Sequence, residues 1–205
     1  MPSYTPPLRD MHFVLHELLN VTVELKLLPR HADMDTETLN AVLEEGGKFA
    51  SEVLFPLNIS GDQQGCTLDK ATHEVRPPAG FKEAYAQYVK GGWPSLAADP
   101  AYGGQGLPIV VNHCFYEMLN SANQAWAMYP GLSHAAYECI RSHGTPEQKS
   151  TFLPHLTRGD WTGTMCLTEP QCGSVRHIVP VQTPDDSLGR YSAFCSGVPC
   201  ACTQS

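Results

Sequence analysis

The residues whose types and spacing could do chemistry lie mostly late in this chain. Trp161-Thr162-Gly163-Thr164-Met165-Cys166-Leu167-Thr168 is rich in β-formers and reads as a strand. Thr168 ends it just before Glu169-Pro170, which offers a hydroxyl and an amide at the edge of a cleft; taken alone, it is an ordinary strand-end residue. Gly173-Ser174 reads as a turn whose amides and hydroxyl suit a pyrophosphate or pantetheine group, although Gly-Ser is also a common turn pair. Gly103-Gly104-Gln105-Gly106 invites a phosphate-loop reading. It has neither the preceding strand nor the closing Lys-Ser/Thr, so a turn needing positive φ is favoured. His12 and His16 are spaced i, i+4 without the Glu and third ligand of a zinc helix, and Cys195-x4-Cys200-x-Cys202 has no partner pair in range. No metal site is expected.

The elements that must position these residues are helical until Trp161. After the extended Thr5-Pro6-Pro7, Leu8, Met11, Val14, Leu15, Leu18 and Leu19 form one apolar stripe, and Pro29 closes whatever helix persists. A second helix begins at Asp35 or Thr36, either of which can cap it. Its stripe runs through Leu39, Val42, Leu43, Phe49, Ala50, Val53, Leu54 and Leu57, and Pro56 with the stretch 58–65 ends it. The pair Gly46-Gly47 is tolerated where another helix approaches closely. The stretch 66–78 reads as loop with a short hairpin, 80–89 as helix, and 93–108 as a turn-rich loop. Pro108 opens a helix to about Ser121, another follows Pro130 as far as Gly144, and Thr145-Pro146-Glu147-Gln148 caps a third that Leu153-Pro154-His155-Leu156 interrupts and Gly159-Asp160 ends.

Composition narrows the classes. Of 205 residues 42% are hydrophobic, enough for a core, and no apolar run approaches the ~18 residues of a membrane span. A net charge of −8 argues against binding nucleic acid through its phosphates. Eight cysteines could suggest a secreted disulfide scaffold, but Cys66, Cys114, Cys139 and Cys166 are scattered and the start, Met1 to Pro7, has no signal-peptide pattern. A cytoplasmic location is expected.

Several segments resemble the acyl-CoA dehydrogenase family. Met165-Cys166-Leu167-Thr168-Glu169-Pro170-Gln171-Cys172-Gly173-Ser174 is similar to its flavin-contacting segment. Gly144 to Lys149 followed by Phe152 to Leu156 and Gly159 is similar to a helix signature of the family, and Pro100 to Gly106 to one of its loops. Tyr4 to Met11 with Phe13-Val14-Leu15, and Trp126 to His134, resemble a large-subunit branch that includes the 3-methylmercaptopropionyl-CoA dehydrogenases. The resemblance implies a flavoprotein that oxidises an acyl-CoA to its 2,3-enoyl form, with a Glu removing the α-proton and flavin N5 taking the β-hydride. FAD is the implied cofactor; acyl-CoA and an electron-transfer flavoprotein are the implied partners, and full-length relatives are homo-oligomers. Met165, Leu167, Thr168, Gly173 and Ser174 are the implied cofactor-binding residues. Donors there suit the negative charge that a flavin ring gathers on reduction. Trp126, Met128 and Tyr129 fit an acyl-pocket wall and a packed core equally well.

The implied fold is mainly α. An N-terminal extension segment (1–34) precedes an acyl-CoA dehydrogenase-like helical domain (35–160), the first strand of a truncated middle β-domain with the flavin-contacting motif (161–174), and a divergent, disordered tail (175–205). After Ser174 the family pattern stops, with Val175 where the family has Asp; a frameshift or premature stop in the gene is expected there. The family's catalytic Glu belongs to a C-terminal domain not represented here, so no catalytic residue is assigned. The chain alone is expected to be inactive, and the alternative is a non-catalytic helical module with no flavin bound.

Overall fold

The computed structural model describes residues 3–164, which are mainly helical. The expected strand from Met165 onward, the motif through Ser174 and the tail 175–205 lie outside them. The chain divides into two compact units, Met1–Met128 and Tyr129–Ser205.

In the first unit the Pro6 and Pro7 carbonyls accept from the Leu8 and Met11 amides and start α1 (Leu8–His12). The helix then widens to i→i+5 bonding over Phe13–Leu18, where the Leu19 amide reaches the Val14 carbonyl at 3.0 Å. Wider turns hold more than the roughly 3.6 residues of an α-turn, so successive side chains fall behind the α-helical stripe. The expected single apolar face is therefore split: Met11 and Leu15 are buried, whereas Val14, Leu18 and Leu19 face solvent. Asn20, at φ 47°, ends this helix well before Pro29, and α2 (Val21–Lys26) buries Val21 and Leu25. Asparagine tolerates the left-handed region, which makes the early break possible.

α3 (Thr36–Lys48) is capped by Asp35, whose carboxylate accepts from the Thr38 amide at 2.7 Å. A Cβ on Gly46 would lie 2.7 Å from the Phe115 ring and one on Gly47 3.1 Å from Pro6, so the glycine pair is where other parts of the chain press against α3. A second i→i+5 stretch, Phe49–Leu54, follows, and Pro56 then opens α4 (Pro56–Gln64) instead of ending the helix. At a first helical turn proline's missing N–H leaves no bond unmade. Gly61 gives α4 a bare face against the Phe81 ring. β1 (Thr67–Leu68) and β2 (Val75–Arg76) form the short antiparallel hairpin, and α5 (Phe81–Lys90) buries Ala84 and Tyr88.

α6 (Ile109–His143) breaks once, at Asn123 (φ −159°, ψ 87°), then resumes at once and runs through Pro130 to His143. The expected gap between Ser121 and Pro130 is thus helical. Asn123 makes this possible by accepting from the Trp126 amide (3.1 Å) as an internal N-cap, while its Nδ2 donates to the Leu54 carbonyl (3.2 Å). An aromatic cluster fills the core of this unit: Trp93 stacks on Phe115 with centroids 4.2 Å apart, and Trp126 meets Tyr88 edge-on at 5.5 Å.

In the second unit, α7 (Pro146–Arg158) starts at the expected Thr145 cap, and the structure makes it a capping box: Gln148 donates its amide to the Thr145 hydroxyl, and the Gln148 side chain accepts from the Thr145 amide. It continues through Pro154, which was expected to interrupt it, because buried Leu153 and Leu156 hold the flanking turns in place. Gly159, at φ 77°, ends it. Residues 161–164 show no strand pairing.

Candidate functional site

The five expected cofactor-binding residues, Met165, Leu167, Thr168, Gly173 and Ser174, lie outside the described residues. The structure does show how the chain that leads to them is held. At the end of α7 the His155 carbonyl accepts from the amides of Asp160 (3.1 Å) and Trp161 (3.4 Å). The Trp161 indole lies flat on the His155 ring, with centroids 4.1 Å apart and planes 12° from parallel, and Phe152 adds a tilted contact at 5.9 Å. Arg158 bonds Asp160 through Nε at 2.7 Å and His155 Nδ1 through Nη2 at 2.8 Å. Its guanidinium holds the Asp160 carboxyl below the usual carboxylate range.

Beyond this turn the backbone is tied to α6. The Gly163 amide donates to the Ser133 hydroxyl (3.1 Å), and Tyr129 donates its hydroxyl to Thr162 (3.1 Å). A Cβ on Gly163 would sit 2.5 Å from that of Ala136, so only glycine lets this segment lie so close to the helix. The main chain is tied to the helix as far as Gly163, two residues before Met165. In the sequence 159–160 reads only as a helix stop; the signal for this turn is His155, Arg158, Asp160 and Trp161 falling within one turn and its exit.

The other expected positions separate. Trp126 is core, 3% exposed, and donates its indole N–H to the Phe81 carbonyl at 3.2 Å. Met128 and Tyr129 are exposed. The loop at Gly103–Gly106 is not free to take a phosphate. The amides of Gly103, Gly104, Gln105, Gly106 and Leu107 are all bonded to carbonyls within the loop, at 2.8–3.1 Å, and Gly103 and Gly106 have positive φ.

A groove of about 600 Å³ runs between α3 and the loop after α5, over Val42, Phe49, Trp93 and Leu96. Its charged lining is Glu45, Lys48 and Glu52, with Lys48 already paired to Glu45. That excess of carboxylate repels the phosphates of a coenzyme A. Among the described residues no helix is long and apolar enough to cross a membrane.

The model of the acyl-CoA dehydrogenase N-terminal domain matches residues 36–160. The chain belongs to the acyl-CoA dehydrogenase family. It is 37% identical over 172 residues to 3-methylmercaptopropionyl-CoA dehydrogenase of Ruegeria pomeroyi, a match covering 84% of this chain and 29% of that protein. Over 175 residues it is 34% identical to a broad-specificity linear acyl-CoA dehydrogenase of Mycobacterium tuberculosis, covering 85% and 28%. Butyryl-CoA dehydrogenase of Megasphaera elsdenii superposes with a TM-score of 0.54 at 23% identity, over 68% of this chain and 34% of that one, and so shares the fold. The chain spans less than a third of the length of these two curated relatives, and its mainly α structure is that of the family's N-terminal helical domain.

Proposed function

We propose that this chain is the N-terminal portion of an FAD-dependent acyl-CoA dehydrogenase. In that reading it supplies one helical wall and the flavin-contacting segment but not the catalytic base. The observation that carries the proposal is the match over 36–160 running straight into the tethered exit turn at 159–164, with the Thr-Glu-Pro motif next in sequence. Thr168 and the backbone of Met165 and Leu167 would donate to the ring of the flavin, and Gly173 and Ser174 would meet its phosphate side. When bound, FAD supplies the hydride acceptor; these residues bind it and stabilise the negative charge it gathers. The substrate class is an acyl-CoA thioester, medium-chain or methylthio-substituted. An electron-transfer flavoprotein is the electron acceptor and the cytoplasm the compartment.

Alone, the chain neither turns over substrate nor retains flavin. The described residues support this, since the glycine loop spends its amides internally and the groove has the wrong charge for coenzyme A. Purified protein should be colourless and should reduce no dye in the presence of butyryl-CoA. Stoichiometric flavin absorbance would overturn that part. The family role is tested separately by fusing residues 1–168 to the remainder of the Ruegeria enzyme beyond the position that aligns with Thr168. A yellow, thioester-dependent dehydrogenase is expected, with flavin retention weakened by Thr168→Ala. A folded but flavin-free chimera would sink the reading.

A further inference from the structure

The exit of α7 carries more side-chain structure than ending a helix requires. Gly159, at φ 77°, lets its own amide reach the Leu156 carbonyl (3.2 Å) and the Asp160 amide reach that of His155 (3.1 Å), so the backbone alone stops the helix. Around this stop Arg158 forks to two partners, Nε donating to Asp160 Oδ2 and Nη2 to His155 Nδ1. A guanidinium can only donate, so His155 offers a lone pair on Nδ1 and keeps its ring proton on Nε2. The imidazole held in this way carries the Trp161 indole flat against it. Trp161 is 43% exposed, so its ring contacts hold it rather than deep burial. The side chains of Arg158 and Asp160 are 53% and 50% exposed, and pairs of that kind contribute little to stability. What the arrangement does set is the direction in which the chain leaves the helix.

We propose that His155, Arg158 and Trp161 are positioning residues for the flavin-contacting segment, an inference that rests on the family role proposed above. Three consecutive residues are held from three places: the Trp161 indole by His155, the Thr162 hydroxyl by Tyr129 and the Gly163 amide by Ser133. The first hold comes from α7 and the other two from α6, so both helices aim the chain. Thr168 is five residues past Gly163, a reach of at most ~17 Å. A swing of about 10° at Gly163 would carry it up to ~3 Å, far beyond the ~0.5 Å within which a binding group must be held. The three residues act on flavin through Thr168 and not by contact with it.

Hydrogen exchange on the full 205-residue chain tests the aiming, and the chimera carrying residues 1–168 tests its consequence. In the full chain, Trp161→Leu should speed exchange of the Gly163 amide at least ~10-fold while the amides of α7 and the urea midpoint stay unchanged. Trp161→Phe, which keeps a flat ring for His155, should restore the protection. In the chimera, Trp161→Leu should raise the flavin dissociation constant at least ~10-fold, and Trp161→Phe should bring it back. Arg158→Lys keeps the charge but cannot fork to both partners; it should have the effects of Trp161→Leu in both measurements, and it decides the matter should the leucine variant unfold. Gly163 exchange unchanged in both variants, or flavin held as tightly by both variant chimeras as by their parent, would overturn the inference. So would flavin loss that tracks a lower urea midpoint and that Trp161→Phe leaves uncorrected, for the stack would then be structural only. A folded parent chimera without flavin sinks the family role, and this inference with it, before any variant is made.

Discussion

Asn123 is the buried side chain that joins α6 to the helix ending at Leu54. It is 1% exposed, and both ends of its amide are in use, one starting the second half of α6 and the other bonding the carbonyl of Leu54. Removing it leaves the Trp126 amide without its cap, and Trp126 is the ring that packs against Phe49, Tyr85 and Tyr88. Asn123→Ala should cost ~1–3 kcal/mol, the range for a lost cap plus a buried polar group left unsatisfied. Asn123→Asp keeps the acceptor for Trp126 but sets a buried carboxylate against the Leu54 carbonyl, so it should cost more than alanine. Urea unfolding of the three proteins gives the order, and an aspartate variant as stable as wild type would show that the Leu54 bond contributes nothing. No local rule singles out Asn123 in Ser121-Ala122-Asn123-Gln124; its role depends on a carbonyl 69 residues earlier.

At the scale of elements, Asp35 gives α3 a pH dependence whose sign follows from its geometry. The Thr38 amide bonds the ionised carboxylate and lowers its pKa in the folded chain. The unfolded chain therefore protonates first as pH falls. The stabilisation is complete above the unfolded-state value and disappears as pH drops through the folded one. Asp35→Asn keeps an accepting oxygen without a titration, so its stability should fall less than that of wild type between about pH 6 and pH 3. Parallel losses in the two proteins, measured as urea midpoints, would remove Asp35 from the acid response. This cap, the Thr145 capping box and the Gly46-Gly47 contact were legible because each rests on neighbours in sequence or on one residue's missing side chain. The i→i+5 turns at Phe13–Leu18 and Phe49–Leu54 were not, since tertiary packing and not local residue type decides where a helix widens. Pro56, Pro130 and Pro154 misled for a related reason. A proline forbids one amide bond but does not say whether the chain stops, starts or continues around it. At the candidate site the Thr-Glu-Pro motif was readable as a resemblance, whereas the His155–Trp161 stack that fixes the approach to it was not.

At the scale of the whole molecule, the segment before Asp35 bears on what the helical domain needs in order to stand alone. The family match begins at residue 36, yet Met11, Leu15, Val21 and Leu25 lie in one core cluster with Leu39, Leu43 and Phe115. Each of those four contributes ~1.5–3 kcal/mol of apolar burial as an upper bound, set against the entropy of ordering two short helices. The balance should favour the ordered state, because the same segment is also fastened at His16–Asn40 and Arg30–Asp99. A chain starting at Asp35 should therefore melt at least ~5 °C below the full chain, given ~2–4 °C per kcal/mol at this size. It should also bind hydrophobic dyes, as Leu39 and Leu43 lose their cover. Leu15→Ala is the graded form of the same test and should cost ~2–4 kcal/mol with the fold retained. A shortened chain that melts where the full one does would make the N-terminal helices an appendage. In that case the burial of Met11, Leu15, Val21 and Leu25 would only offset the entropy of ordering the segment, and the core of Leu39, Leu43 and Phe115 would be sufficient without it.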